Sequence, residues 1–345
     1  MTAEYNQRNR PSRRPAMPTL LASRWLPALA LALLATVADS ALAFDLQAHR
    51  GGRGLRPENT LPAFEHALAL GVDTLELDIG VTADGVVVIS HDAHLNPVIT
   101  RAADGRWLEG SKGPLLKSLT LAQLQAYELG RIQPGSGYAA TFSSQQPADG
   151  TRMPTLASLF ERIRALGADR VRFNIETKID PNRPQDTIDA EAMTRALLRV
   201  VDAADMQARV TIQSFDWRTL QLVQRLAPAI PTAYLTIQTA SNDNVRGGAW
   251  TASWNLADHG SVPRLVKAAG GAIWSPNAGA LTEPLVREAQ ALGLMVLPWT
   301  VNDPAAMERL LDWGVDGLIT DYPDRLRVVL RQRGIALPAP LSLTR

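Results

Sequence analysis

Four of the chain's five histidines fall between His49 and Asn96, and the same span places two carboxylates one residue apart. In Thr74-Leu-Glu-Leu-Asp-Ile79 the aliphatic Leu75, Leu77 and Ile79 alternate with Glu76 and Asp78. On a strand, successive side chains point to opposite faces, so both acids project from one side and the aliphatics from the other. Two carboxylates so close repel each other unless a cation neutralises them, and Mg2+ or Ca2+ does this best through oxygen ligands. Taken alone, the pair fits an ordinary half-buried strand with a wet face equally well. The neighbouring residues shift the balance toward a site.

His49 closes the apolar run Leu46-Gln-Ala48 and is followed by Arg50, Gly51 and Gly52, which puts it where a short strand opens into a loop. His91 ends a second apolar run, Val86-Val-Val-Ile-Ser90, and precedes Asp92, a carboxylate able to orient its ring. Histidine is the side chain best suited to proton transfer near neutral pH, and a pair can supply both an acid and a base. Arg50 is a candidate oxyanion clamp. His66 lies in the helix-like stretch Leu61 to Leu70 and reads as a helix-surface residue, while His94 and His259 read as structural or surface residues. In Arg172-Phe-Asn-Ile-Glu-Thr-Lys178, Asn174, Glu176 and Lys178 share one strand face, and Phe173 and Ile175 the other. Glu176 could be a third carboxylate ligand, and Lys178 could hold a phosphate as a point charge. Gln213-Ser-Phe215, Pro298-Trp-Thr-Val-Asn302 and Thr320-Asp-Tyr-Pro-Asp324 each end a hydrophobic run in polar or aromatic residues, a repetition that suggests one shared mouth.

The motifs His49-Arg50-Gly51, Pro57-Glu-Asn-Thr60, Glu76-Leu-Asp78, Asp84-Gly85, His91-Asp92, Ile175-Glu-Thr-Lys178, Trp299-Thr-Val-Asn302 and Thr320-Asp-Tyr-Pro323 occur in this order along the chain. In this they closely resemble the glycerophosphodiester phosphodiesterase family, from about Gln47 to Leu326. The resemblance implies an α/β fold, a TIM (β/α)8 barrel whose strand ends carry a divalent-metal site. It implies that Glu76, Asp78 and Glu176 ligate the metal and that His49 and His91 form the acid-base pair. It also implies that Arg50 and Lys178 contact the phosphate, with Glu58 close by and Trp299 forming a wall. One departure is local: many relatives place an arginine after the leucine of the second histidine motif, whereas this chain has Leu95-Asn96.

Strand-like runs begin near Asp45, Thr74, Val86, Val171, Val210, Thr232, Ala272, Met295 and Gly317, one more than an eight-stranded barrel needs. Asp84-Gly85 is a hairpin signal, so Val86 to Ser90 is expected to fold back as an arm carrying His91 over the mouth. Helices with an apolar stripe are expected over Thr60 to Leu70, Thr155 to Leu166, Ala190 to Ala203, Trp217 to Leu226, Pro284 to Leu292 and Pro304 to Trp313. Residues 97–153, with a helix-like piece near Leu121 to Leu129, form an inserted capping segment. Trp250 and Trp254 sit in a Gly-, Asn- and Ser-rich loop, where aromatics can grip an alcohol or pack on the barrel. The Pro-rich end from Ile335 is expected to fray.

The first 43 residues differ in kind. Arg8, Arg10, Arg13, Arg14 and Arg24 precede the apolar run Leu26 to Val37, and Ala41-Leu-Ala43 offers a cleavage site, the pattern of a secretory signal peptide. The run is shorter than the roughly 20 apolar residues of a spanning helix, so no permanent membrane anchor is expected. Arg13-Arg14 raises a twin-arginine route that Pro15-Ala-Met17 continues poorly, and the choice of export route stays open. Without this segment the 345-residue chain keeps 30 basic and 32 acidic residues, a net charge of −2 that implies no nucleic-acid partner. It has no cysteine, hence neither a disulfide nor a lipidated cysteine at the cleavage site.

The sequence thus leads to an exported, periplasmic or secreted enzyme of one barrel domain, residues 44–345, using one divalent cation, Ca2+ first and Mg2+ second. Its expected substrates are glycerophosphodiesters, the deacylated phospholipids, cleaved to glycerol 3-phosphate and an alcohol. Two alternatives remain at this level: a related phospholipase acting on intact lipids, with a longer apolar mouth, and a non-catalytic binding protein on a decayed barrel.

Overall fold

The structure is a computed structural model, and residues 44–343 are described. The segment read as a signal peptide lies outside the described residues.

Nine strands form the sheet: β1 (Asp45–Ala48), β2 (Thr74–Val81), β3 (Val87–Ile89), β4 (Arg172–Thr177), β5 (Val210–Ser214), β6 (Thr232–Thr236), β7 (Ile273–Pro276), β8 (Met295–Val296) and β9 (Gly317–Thr320). Eight of them run parallel in the order β8-β7-β6-β5-β4-β2-β1-β9. Main-chain bonds from Asp316 N to Val296 O and from Ile319 N to Pro298 O, both 3.1 Å, draw the two ends together into a nearly closed barrel. The ninth strand, β3, pairs antiparallel with β2 through Val81↔Val87 and Ile79↔Ile89, so the Asp84-Gly85 turn folds it back as the expected arm. Gly85 has φ +79°, the left-handed conformation such a tight turn requires.

Helices cover the outside. They include α1 (Leu61–Leu70), α2 (Leu121–Leu124), α3 (Gly137–Thr141), α4 (Leu156–Ala165), α5 (Ala190–Ala203), α6 (Trp217–Leu226), α7 (Val262–Ala268), α8 (Glu283–Ala291), α9 (Pro304–Asp312) and α10 (Pro323–Gln332). The side-chain oxygens of Thr60, Thr155, Asp189, Asp216 and Asp303 cap their helices by accepting a main-chain N–H. The α5 stripe of Met193, Leu197, Leu198 and Val201 is buried, and each such side chain contributes roughly 1.5–3 kcal/mol on leaving water. Both α7 and α10 begin with a proline in the first turn, and their short apolar stripes escaped the sequence reading.

Residues 97–153 contain α2 and α3, and part of this segment shares a separate small core of Val88, Leu95, Leu116, Leu124 and Met153. The expected fraying of the Pro-rich end is corrected through residue 343. Leu341 N donates to Leu68 O at 2.9 Å, and Arg327 Nη1 donates to the carbonyls of Gly71 and Pro338, which dock this stretch against α1 and its following loop. Among the described residues no helix is long and apolar enough to cross a membrane.

Candidate active site

The residues singled out for chemistry stand on barrel strands or in the loops that follow them, the side at which barrel enzymes carry their sites, except His91, which follows the antiparallel arm β3. On β2 the faces divide as the alternation requires. Leu75, Leu77 and Ile79 enter the main core, and Glu76 and Asp78 turn to the interior polar groups. The ladder sets Asp78 beside Glu176 on β4, and Glu176 beside Gln213 on β5. Glu76, Asp78 and Glu176 are buried, with one oxygen from each lying within 4.8 Å of the others.

Burial and the nearby charge of Asp78 push the Glu76 carboxyl well above its ordinary range. Burial likewise raises Glu176 to about 7 against the pull of Lys178, whose Nζ is 2.8 Å from its Oε1. Asp78 goes the other way: burial opposes its charge, but Lys178 at 3.6 Å and Arg50 at 3.3 Å hold it well below the carboxylate range. Among the described residues, Asp78 Oδ1 is buried without a hydrogen-bond partner. Three converging carboxylates, two raised toward their neutral forms and one with an orphaned oxygen, fit a divalent cation as ligands.

The loop after β1 is built to bring Arg50 back over this cluster. Arg50, Gly51 and Gly52 have φ of +51°, +79° and +85°. A Cβ on Gly51 would lie 2.8 Å from Ala63 Cβ, so both the conformation and the space call for glycine. The turn lets Arg50 N donate to Glu76 Oε2 at 2.8 Å while its guanidinium reaches Glu58 Oε1 at 2.9 Å. Asn59, itself left-handed at φ +57°, donates from Nδ2 to Asp78 Oδ2 at 3.0 Å.

The two histidines are held differently. His49 Nδ1 lies 2.6 Å from Asp321 Oδ1, and Asp321 also accepts from Arg53 Nε and Asn302 Nδ2, each at 2.7 Å. Burial opposes the Asp321 charge, yet His49 and Arg53 hold it far below the carboxylate range. An ionised carboxylate only accepts, so Nδ1 carries the ring proton and Nε2, 4.0 Å from Glu76 Oε2, presents a lone pair. Burial lowers His49 to about 4, with Asp321 opposing. His91 is more open, its side chain 32 % exposed against 10 % for His49, and it pairs with Asp92 at 2.8 Å. Burial and the cations Lys178 and Arg50 lower its pKa too. Asn96, at the position where the sequence departs from many relatives, donates to Asp92 Oδ2 at 2.9 Å and so steadies the Asp92 carboxylate.

An inner cavity of about 120 Å³ is lined by His49, Arg50, Glu76, His91, Lys178 and Trp299, among others. Glu58 sits behind Arg50 and takes a hydrogen bond from the Tyr138 hydroxyl. The structure therefore brings together all nine residues named for ligand, proton-transfer or substrate roles. His94 reaches its neighbour's carbonyl, Leu95 O, and lines a second cavity outside the inner one, and His259 stacks at 5.6 Å on Trp254, which packs against the core. Sequence reasoning gave no chemical role to Asp321, Arg53, Asn302, Asn59, Gln213 or Tyr138, although Asn59, Asn302 and Asp321 lie in the motifs it named. Asp321, Asn302 and Gln213 were signalled by their strand-end positions, whereas Tyr138 sits on α3 in the inserted segment, where no pattern pointed to it.

Fold and mouth together define a (β/α)8 barrel that gathers carboxylates, histidines and cationic side chains around one cavity. Residues 49–325 match the glycerophosphoryl diester phosphodiesterase family, and the chain belongs to that family as an enzyme. It is 30% identical over 282 residues to a glycerophosphodiester phosphodiesterase of Bacillus subtilis, covering 80% of this chain and 83% of that one. A solved protein from Silicibacter pomeroyi, provisionally assigned as a glycerophosphoryl diester phosphodiesterase, is similar with TM-score 0.77 and 36% identity, over 85% of this chain and 95% of that one. An Oleispira antarctica phosphodiesterase, solved in complex with its product sn-glycerol-3-phosphate, shares the fold with TM-score 0.60 at 24% identity, over 83% and 96% of the two chains.

Proposed function

We propose that this protein hydrolyses glycerophosphodiesters to glycerol 3-phosphate and an alcohol, with the aid of one divalent cation held by Glu76, Asp78 and Glu176. The observation that carries the reading is the meeting of a buried carboxylate triad and two carboxylate-paired histidines around one small cavity edged by Arg50 and Lys178. Family membership and the product bound to the Oleispira antarctica protein support the choice of substrate. Ca2+ is the first candidate, because an exported site meets it at high concentration and it tolerates irregular oxygen geometry; Mg2+ is the second. The bound cation would neutralise charge on the phosphate oxygens.

Arg50 and Lys178 hold the phosphate in the inner cavity, and Trp299 walls the glycerol. His49 Nε2, with its lone pair fixed by the Asp321 contact, takes the proton of the glycerol 2-hydroxyl as that oxygen bonds to phosphorus. His91 borders the open side and donates a proton to the departing alcohol oxygen as its P–O bond breaks. Water then opens the five-membered cyclic phosphate, giving one proton to His91 while His49 returns its proton to the 2-oxygen. Intramolecular attack gains several kcal/mol from proximity. The chain has no cysteine, and among the described residues no serine lines the inner cavity to compete as nucleophile.

The mouth carries Asp92, Asp180, Asp186 and Arg183 beside Ile179, Phe215 and Trp250, and this charged rim favours a deacylated substrate over the acyl chains of an intact lipid. Residues 1–43 act as a secretory signal in this reading, delivering the barrel to the periplasm or outside the cell.

The test is turnover of a panel of glycerophosphodiesters by the purified protein, with and without chelator. Hydrolysis that stops in excess chelator and returns with Ca2+ or Mg2+ is expected; full activity in chelator removes the metal. An analogue lacking the 2-hydroxyl should bind without turning over, and its hydrolysis at the parent rate would replace the cyclic route by direct attack of water.

A further inference from the structure

A second cavity, about 210 Å³ against 120 Å³, adjoins the inner one and shares His91, Glu176, Lys178 and Phe215 with it. The two have opposite characters. The inner cavity gathers Arg50, Arg53 and Lys178 beside carboxylates that a cation would neutralise. The outer one adds Asp92, Asp180 and Asp186 against the single guanidinium of Arg183, with the His94 ring also on its wall. Arg183 Nε satisfies Asp180 at 2.8 Å but is 3.9 Å from Asp186, so the Asp186 charge is only loosely compensated.

A line of aromatic rings connects the cavities. Phe215 stands edge-on to Trp299 at 5.4 Å on the inner side and to Trp250 at 6.3 Å on the outer side. Phe215 already has the Lys178 ammonium 6.0 Å from its ring centre. Among the described residues the Thr187 hydroxyl, at the wall of the outer cavity, is buried with no hydrogen-bond partner. An aromatic wall facing a carboxylate rim attracts an organic cation by its ring quadrupole and by charge together.

We propose that the outer cavity is the seat of the leaving alcohol and selects alcohols bearing an ammonium group, through Trp250 on one side and Asp186 with Asp180 on the other. This rests on the glycerophosphodiesterase reading and extends it to the substrate class. Phosphate then lies toward the cationic inner cavity and the ammonium toward the anionic outer one, matching the dipole of a zwitterionic diester. His91, on the shared wall, faces the oxygen between them.

The experiment compares kcat/KM of the metal-loaded protein for glycerophosphocholine and glycerophosphoethanolamine with that for glycerophosphoglycerol and glycerophosphoinositol. The cationic pair is expected to lead by about fivefold or more, the scale of an exposed cation–π contact with one partly screened charge. Asp186→Asn should narrow that ratio at least about threefold, on the same electrostatic scale, and Trp250→Leu should narrow it as well. Choline should inhibit competitively at concentrations where its neutral isostere 3,3-dimethylbutan-1-ol does not, a readout that needs no folded Trp250 variant. Equal kcat/KM for all four diesters, an unchanged ratio in Asp186→Asn, or equal inhibition by the two alcohols would overturn the assignment. Failure to hydrolyse any of the diesters would overturn the glycerophosphodiesterase reading and this proposal with it, whereas hydrolysis without discrimination overturns only the latter.

Discussion

The two sides of the barrel interior are built from opposite materials. On the β1, β2, β4 and β5 side Asn174 Nδ2 donates to Gln47 Oε1 and to Gln213 Oε1, each at 2.9 Å, and Gln213 Nε2 in turn donates to Glu76 Oε1 at 2.7 Å. Asp45, lower on β1, anchors the chain by accepting from Gln47 and Thr74. On the β6, β7 and β8 side the corresponding space holds Ala233, Ile273 and Leu297, with Met295 packed against them. Buried polar groups cost free energy unless paired, so the polar half gives up stability to fix carboxylates in place, with Asn174 Oδ1 left without a partner among the described residues, and the apolar half supplies cohesion at no such cost. The carboxylate triad and Lys178 thereby stand on the β2 and β4 side of the barrel.

Breaking the polar half should cost most in activity. Glu176→Gln, or Glu76→Gln, is expected to reduce kcat/KM by about 10³-fold or more, because several kcal/mol of charge stabilisation go with the cation. Titration calorimetry with Ca2+ should show the matching loss of binding; a variant that binds and turns over as before removes that residue from the triad. His49→Ala and His91→Ala should each lower turnover by about 10²-fold or more with thermal melts near wild type, since both edge the mouth. A variant that unfolds instead would make that histidine structural.

A smaller effect sharpens the difference between the histidines. Asp321→Asn should lower kcat by about 10–100-fold with little change in KM, because it loosens the His49 ring and its tautomer without touching the phosphate. Equal losses in kcat and KM would show that Asp321 acts through substrate binding. The mildest effect on activity should come from the apolar half: Ile273→Ala is expected to cost about 2–4 kcal/mol of stability by denaturant unfolding. Its folded population should keep kcat/KM within about twofold of wild type, as expected for core changes remote from charge. A large drop in kcat there would mean the two halves are not independent.

Much of this was legible in the chain. A period of two on β2 and β4 sorted carboxylates from aliphatics, and the Asp84-Gly85 turn separated the arm from the barrel strands, because both signals are local backbone geometry. The starts of the strands and the bounds of the six helices read from the sequence fell within a residue for the same reason. The docked Pro-rich end was not legible, since contacts distant in sequence decide it, and the seven residues of α7 are too few for its stripe to stand out, whereas α10 carries a local stripe of Leu326, Val329 and Leu330 that went unread.

By itself, then, the sequence determined which residue types stand at strand ends and which face of each strand they share, since pleat and turn chemistry follow from neighbours in the chain. Only the tertiary structure decided that Asp321, 272 residues from His49, fixes its ring, and that Tyr138 from an inserted helix closes on Glu58. It alone decided that Asp78, between Lys178 and Arg50, stays charged while Glu76 and Glu176 are driven toward their neutral forms. A carboxylate's charge is set by burial and by the groups that closure of the barrel brings within a few ångströms, and no spacing along the chain records either.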